Sequence, residues 1–121
     1  MKTNATQRSL KYLRDAGWTV CIVEKFLPAR GTMKFPRRID AFGFGDLLAC
    51  RSWEEPRLHR KEIALIQSCP GASHAEHKEK ILAIPEFQTW KNSGGQVILM
   101  SWAKKGARGE RKLWTVRVET L

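Results

Sequence analysis

Two side chains set the chemistry this chain can attempt: the carboxylate of Asp46 and the amide of Gln67. Asp46 ends the run RIDAFGFGD and opens an apolar segment, Leu47 to Cys50; Gln67 ends a second one, Ile63 to Ile66. Both segments read as strands. Adjacent strands carrying an acid and a polar oxygen at neighbouring positions can hold a divalent cation, because hard cations take oxygen ligands and complete the shell with water and phosphate. Glu24 and Asp40 could add ligands, directly or through water. Each acid also has a plainer reading. Glu24 would be a strand-end acid reaching water or pairing with Lys25 or an arginine, and this reading is preferred for it. Asp40 would pair with Arg37 or Arg38 at a strand start. Asp46 would be a buried acid tied to backbone amides; here the metal role is preferred, since acids are seldom fully buried unpaired.

Charge supplies the partner. Lys and Arg number 22 against 12 Asp and Glu, a formal net charge of +10, and such a surplus draws polyanions to the surface. Nucleic acid, with DNA ahead of RNA, is the expected partner, bound through salt-sensitive phosphate contacts. The loop PARGTMKFPRR offers Lys34, Arg37 and Arg38 around Phe35, and the turn KKGARGER offers Lys104, Lys105, Arg108 and Arg111. Cations beside an aromatic ring suit phosphate and base together; a solvated basic loop is the competing reading. No membrane partner is expected, because no apolar run approaches bilayer length and the N-terminal residues lack the apolar core of a secretory signal. Cys21, Cys50 and Cys69 are odd in number and lack paired metal-ligand spacing, so they read as reduced, buried residues of an intracellular, cytoplasmic protein.

The 121 residues fit one domain spanning 1–121. Thr6 to Ala16 reads as a helix capped by Thr6, with Leu10 and Leu13 inward and Lys11 and Arg14 outward. Trp18 to Leu27 reads as one strand, Pro28 to Arg38 as a loop, and Ile39 to Arg51 as a second strand region. Gly43 and Gly45 in that region suggest a bulge, a bend or a close backbone approach. Ser52 to Glu62 reads as a polar connection, and Glu62 to Ser68 as a strand covered on both faces. Ser73 and Glu76 match a capping box for a helix carrying His74, His77, Ile81 and Ile84 on one face. Pro85 breaks this helix or begins the next, Glu86 to Asn92. Strands Gln96–Trp102 and Lys112–Glu119 close the chain as a hairpin with a basic tip. The order α-β-β-β-α-β-β predicts an α/β fold with a mixed sheet, its helical crossover right-handed between parallel strands.

An α-β-β-β-α-β core with Asp at the second strand and a polar residue ending the third resembles the PD-(D/E)XK nuclease superfamily, whose fold is restriction-endonuclease-like. The pattern IDAFGFGDLLA, IALIQ, AEHKEKI and GGQVILMSWAKK is more closely similar to small phage and bacterial resolvase-like proteins of the VRR-NUC and Holliday-junction-resolvase type, in which Gln replaces the third-strand Glu. The likeness runs from Val20 to Val118, and the order of short motifs carries it. It implies that Asp46 ligates Mg2+ or Mn2+, that Gln67 stands for the second acid, and that the carbonyl of Ser68 adds a ligand. The family lysine would fall at position 69, where this chain has Cys69. Lys78 or Lys80 from the following helix, or His77 as proton shuttle or phosphate contact, could replace it. The plainer readings are an exposed face for the lysines and a packed helix histidine for His77.

The resemblance implies a metal-dependent, structure-selective endonuclease. The cation would activate water and stabilise the phosphorane-like transition state, leaving 5′-phosphate on branched, flap or single-stranded DNA. Small resolvases commonly act as homodimers, so a second copy is an expected partner. Two alternatives stand beside this reading. Cys69 and Gln67 favour a catalytically inactive nucleic-acid-binding module on the same fold. The basic surface alone would also suit an interaction or inhibitor protein with an acidic partner.

Overall fold

The computed structural model describes residues 4–32, 35–55 and 58–121; Lys34 lies outside the described residues. Helix α1 (Ala5–Asp15) starts at Asn4, whose Oδ1 accepts the backbone N–H of Gln7 at 2.8 Å. Asn4, not Thr6, is therefore the cap, because its side chain meets an amide in the first turn that would otherwise lack a partner. Leu10 and Leu13 are buried and Lys11 and Arg14 exposed, as the helical spacing predicts.

The region read as one strand from Trp18 to Leu27 is two: β1 (Thr19–Ile22) and β2 (Lys25–Leu27). The break has a visible cause. The N–H groups of Val23 and Glu24 both donate to the carbonyl of Asp46, at 2.9 and 3.3 Å, and the chain leaves the sheet there. β2 then pairs antiparallel with β3 (Arg37–Ile39) as a separate ribbon. β3 takes Arg37 and Arg38 from the segment read as a loop, and the second strand region beyond Ile39 is a tight turn followed by β4 (Leu47–Glu55).

β4 pairs antiparallel with β5 (Leu58–Pro70), and their pairing runs from Leu47↔Ile66 out to Glu55↔Leu58. The polar connection expected over Ser52–Glu62 is thus mostly strand. Arg51 and Glu62 sit opposite one another with Nε to Oε2 at 2.5 Å, and the Arg51 guanidinium lies 4.1 Å over the Trp18 ring. Cross-strand ion pairs and ring contacts support pairing where no core does, so polarity concealed these strand residues. β6 (Gln96–Lys105) runs parallel to β5, and β7 (Leu113–Thr120) returns antiparallel as the expected hairpin. The fold is α/β, with a mixed five-stranded sheet in the order β1-β4-β5-β6-β7.

Between β5 and β6, a short 3-10 turn (Gly71–Ser73) leads into α2 (His74–Ala83), and α3 (Pro85–Asn92) follows at once. Pro85 begins α3 at its first position, where its missing N–H costs nothing. The expected capping box is absent: the Ser73 hydroxyl donates instead to the Pro70 carbonyl at 3.1 Å. α1 covers one face of the sheet, packing Leu10 and Leu13 against Leu47, Ile66 and Met100. α2 and α3 cover the other, packing Ile81 and Phe87 against Leu65, Cys69 and Leu99. Side chains alternate across a strand, so β5, buried from Ala64 to Cys69, feeds both layers. Cys69 is buried as expected, whereas Cys21 and Cys50 are exposed on β1 and β4, which lie at one side of the sheet.

Candidate metal centre

Asp46 and Gln67 both point toward the α2/α3 face. They share strand parity with Leu48 and Leu65, which pack in that layer. The turn from Asp40 to Gly45 delivers two acids to one place. Ala41 and Gly45 form an antiparallel bridge, and the N–H of Gly43 bonds the Asp40 carbonyl at 3.1 Å. Phe42 and Gly43 take positive φ, 55° and 85°, a conformation glycine adopts freely and phenylalanine only under strain. At Gly45 a Cβ would lie 2.9 Å from Leu65 Cδ2, so close approach is what that glycine permits. The G-x-G of this region is therefore a turn and a packing contact.

Glu24, brought in where β1 ends, completes the group. Ligating oxygens of Glu24, Asp40 and Asp46 all lie within 4.8 Å of one another. Oxygens at about 2.1 Å from Mg2+ lie at most ~4.2 Å apart, and around Ca2+ up to ~5 Å. The trio suits a hard divalent cation with at most a small contraction, and it does not choose between Mg2+, Mn2+ and Ca2+.

Asp46 is only 4% exposed. Its Oδ2 accepts two donors, the backbone N–H of Ser68 at 2.8 Å and the Gln67 amide nitrogen at 2.9 Å. Burial pushes its pKa up to about 8; the Ser68 hydrogen bond opposes this, and the carboxyls of Asp40 and Glu24 add to the rise. Burial and the neighbouring carboxyls thus favour the neutral form of this group, and a bound cation would relieve the same repulsion.

The Gln67 amide meets Asp46 through nitrogen, not oxygen, and also lies 3.4 Å from the Ser68 carbonyl. The expected pairing of Asp46 and Gln67 is present, but in this arrangement Gln67 is a donor that orients Asp46. The second and third oxygens come from Glu24 and Asp40. Half of the plainer reading of Glu24 also holds: Arg38 Nη1 lies 3.7 Å from its Oε1, on a guanidinium side chain 63% exposed.

Position 69 and the α2 residues suggested in place of a lysine have partners or surroundings of their own. Cys69 is buried in the α2/α3 layer, and burial raises its thiol pKa, so it carries no charge there. His77 is half-buried and bonds the Ser73 carbonyl at 2.9 Å; Lys80 is exposed at the last turn of α2. Lys78 is committed to Glu119 at 2.5 Å. Of the other cationic candidates, Arg37, Lys104, Lys105, Arg108 and Arg111 are exposed.

Sequence reasoning missed a buried network under α2. His74, 3% exposed, bonds Ser101 through Nδ1 at 2.7 Å and Glu119 through Nε2 at 2.8 Å. The carboxylate requires a proton on Nε2. Lys78 first, then His74, pulls the Glu119 pKa down to about 2. A second network, on the α1 face, joins Ser68 Oγ and Trp102 Nε1 to Ser9 Oγ at 2.7 and 2.8 Å. These partners are up to 93 residues apart, so no local pattern announces them. No family model, no curated protein and no solved structure matches this chain.

Proposed function

We propose that the chain is a metal-dependent nuclease of the PD-(D/E)XK type, with Asp46, Asp40 and Glu24 holding Mg2+ or Mn2+ and DNA as the substrate. The supporting observation is the cluster of three carboxylates, half-buried Glu24 and Asp40 around buried Asp46, whose mutual repulsion a cation would relieve. A bound cation would supply Lewis-acid activation of water and charge neutralisation at the scissile phosphate. The protein's own part is positional. Ser68 N–H and Gln67 fix one oxygen of Asp46, leaving the other for the ligand. Arg38 contacts Glu24 and is exposed, so it can leave that pair to meet a phosphate oxygen. Exposed pairs of this kind contribute little and are readily exchanged. Arg37 beside it, and Lys104, Lys105, Arg108 and Arg111 on the β6–β7 hairpin, would seat the backbone without reading sequence.

The test is a panel of labelled linear, nicked, flap and four-way DNA incubated with Mn2+, Mg2+ or EDTA. The reading expects cation-dependent cleavage that Asp46→Asn abolishes with the fold intact. Cleavage that survives Asp46→Asn, or that proceeds in EDTA, contradicts it.

A specific observation favours a second reading, a nucleic-acid-binding module without turnover. Gln67 presents a donor where the family presents an acid, and Cys69 lies in the core where the family places its lysine. That reading expects salt-sensitive binding, no cleavage under any cation, and affinity unchanged in Asp46→Asn.

A further inference from the structure

On the α1 face of the sheet, opposite the carboxylate trio, α1 and the β6–β7 hairpin enclose an open groove of about 320 Å3 lined by Arg8, Lys11, Tyr12, Asp15, Trp102 and Trp114. We propose that this groove is a stacking platform for single-stranded nucleic acid, with Trp114 taking a base and Lys104 taking a flanking phosphate. The proposal goes beyond the carboxylate site and would serve a binding module as well as a nuclease.

Trp114 is 46% and Tyr12 43% exposed, large aromatic surfaces that the fold does not use to fill its core. β7 is an edge strand, so no neighbour in the sheet covers Trp114. The ring is nonetheless held in place. The Arg8 guanidinium lies 3.6 Å from its centroid and Lys104 Nζ 5.3 Å. Tyr12, also in the lining, stands edge-on to Trp102 at 6.2 Å. A pre-set ring loses little freedom when a ligand stacks on it, which is how aromatic platforms bind bases without sequence preference.

Charge selects the occupant. Asp15, the acid of the groove, is paired with Lys11 at 2.7 Å, while Arg8 and Lys104 flank the ring in a chain of net charge +10. A second copy would set these cations against their own duplicates, whereas a polyanion is attracted to them. Duplex DNA keeps its base faces stacked inside the helix, and only a single strand can offer one to Trp114.

The experiment is fluorescence anisotropy in EDTA with labelled oligo(dT), oligo(U) and a duplex of equal length, for the wild type, Trp114→Ala, Trp114→Phe and Tyr12→Ala. EDTA removes any dependence on the carboxylate trio, so failure of the nuclease reading leaves this result unaffected. The expected result is a loss of about tenfold or more in single-strand affinity for Trp114→Ala, most of it regained in Trp114→Phe, with duplex affinity little changed. A stronger effect on oligo(dT) than on oligo(U), or the reverse, identifies the nucleic acid. Equal weakening of single strand and duplex overturns the proposal, as does no change in either. Sedimentation showing a dimer that only Trp114→Ala dissociates, without effect on oligonucleotides, would assign the groove to a second copy and overturn it too.

Discussion

Gln67 donates its amide N–H to Oδ2 of Asp46 across 2.9 Å, from the neighbouring strand and on the same face of the sheet. This contact, with the Ser68 N–H on the same oxygen, fixes which oxygen of Asp46 is free. Asp40 and Glu24 lie beside the same carboxyl. With Asp46 buried beside two further carboxyls, a proton and a cation compete for the group.

The first concerns stability without added metal. The folded state raises the Asp46 pKa from its ordinary value near 4 to about 8, so folding favours the protonated form. Stability from this group is fully present below about pH 4 and is lost as pH rises to about 8. The loss is on the order of a few kcal/mol. Asn in its place can accept from Ser68 and Gln67 while donating toward Asp40. Asp46→Asn should therefore flatten the decline, and urea unfolding in EDTA at pH 5, 7 and 9 should show the variant more stable than wild type at pH 9. A wild-type excess at pH 9 counts against the assigned environment.

Cation binding should carry the opposite sign. Because the ligand form of Asp46 is deprotonated, apparent Mn2+ affinity should rise about tenfold per pH unit up to about pH 8 and level off above it. Thermal shifts at fixed Mn2+ across pH 6–9 would show this as a widening gap from EDTA. A shift independent of pH would place the ion elsewhere.

Much of this was legible in the chain, and the limits have physical reasons. The apolar runs around Leu47 and Ile66 identified the two strands, because a core strand needs apolar residues whatever its neighbours. That also placed Asp46 beside Gln67. The end of β1 at Ile22 was not legible, since the interruption comes from a carbonyl more than twenty residues away and not from a local breaker. The strand content of Ser52–Glu62 was hidden for the reverse reason: a hairpin extending beyond the core needs no apolar alternation. Glu24 and Asp40 were identified by residue type alone; their convergence required the peeling of β1 and the turn around Gly43. His74 appeared in the helical pattern, but Ser101 and Glu119 beneath it did not.

A lysine at position 69, where the resemblance would place one, should not be tolerated. Cys69 is 1% exposed and packed among Leu65, Ile81 and Leu99, so Cys69→Lys would bury an ammonium in an apolar layer. The expected cost is about 3 kcal/mol or more, with the amine neutral or forced outward. Thermal denaturation would read this directly, and a variant as stable as wild type would show that position 69 can open toward the trio.

The Ser9 hydroxyl is the common partner of Ser68 Oγ and Trp102 Nε1. Ser9→Ala leaves both buried groups short of a partner, at an expected ~1–3 kcal/mol. Denaturant midpoints should fall with an unchanged slope, and an unchanged midpoint would mean that the two groups find other partners.

At the acid end, Glu119 supplies stability that is present above its ordinary carboxylate range and lost as pH falls toward 2. Glu119→Gln should therefore lose most stability relative to wild type at pH 6 and converge with it near pH 2. A gap that persists at pH 2 would trace the effect to packing instead of the Lys78 and His74 contacts.

The central claim is that Asp46, Asp40 and Glu24 form a divalent-cation site, and direct Mn2+ titration followed by electron paramagnetic resonance at pH 8 tests it most closely. The account predicts one bound ion in the wild type, lost in Asp46→Asn and weakened in Asp40→Asn and Glu24→Gln, with all folds intact. Equal Mn2+ binding by wild type and Asp46→Asn would contradict it.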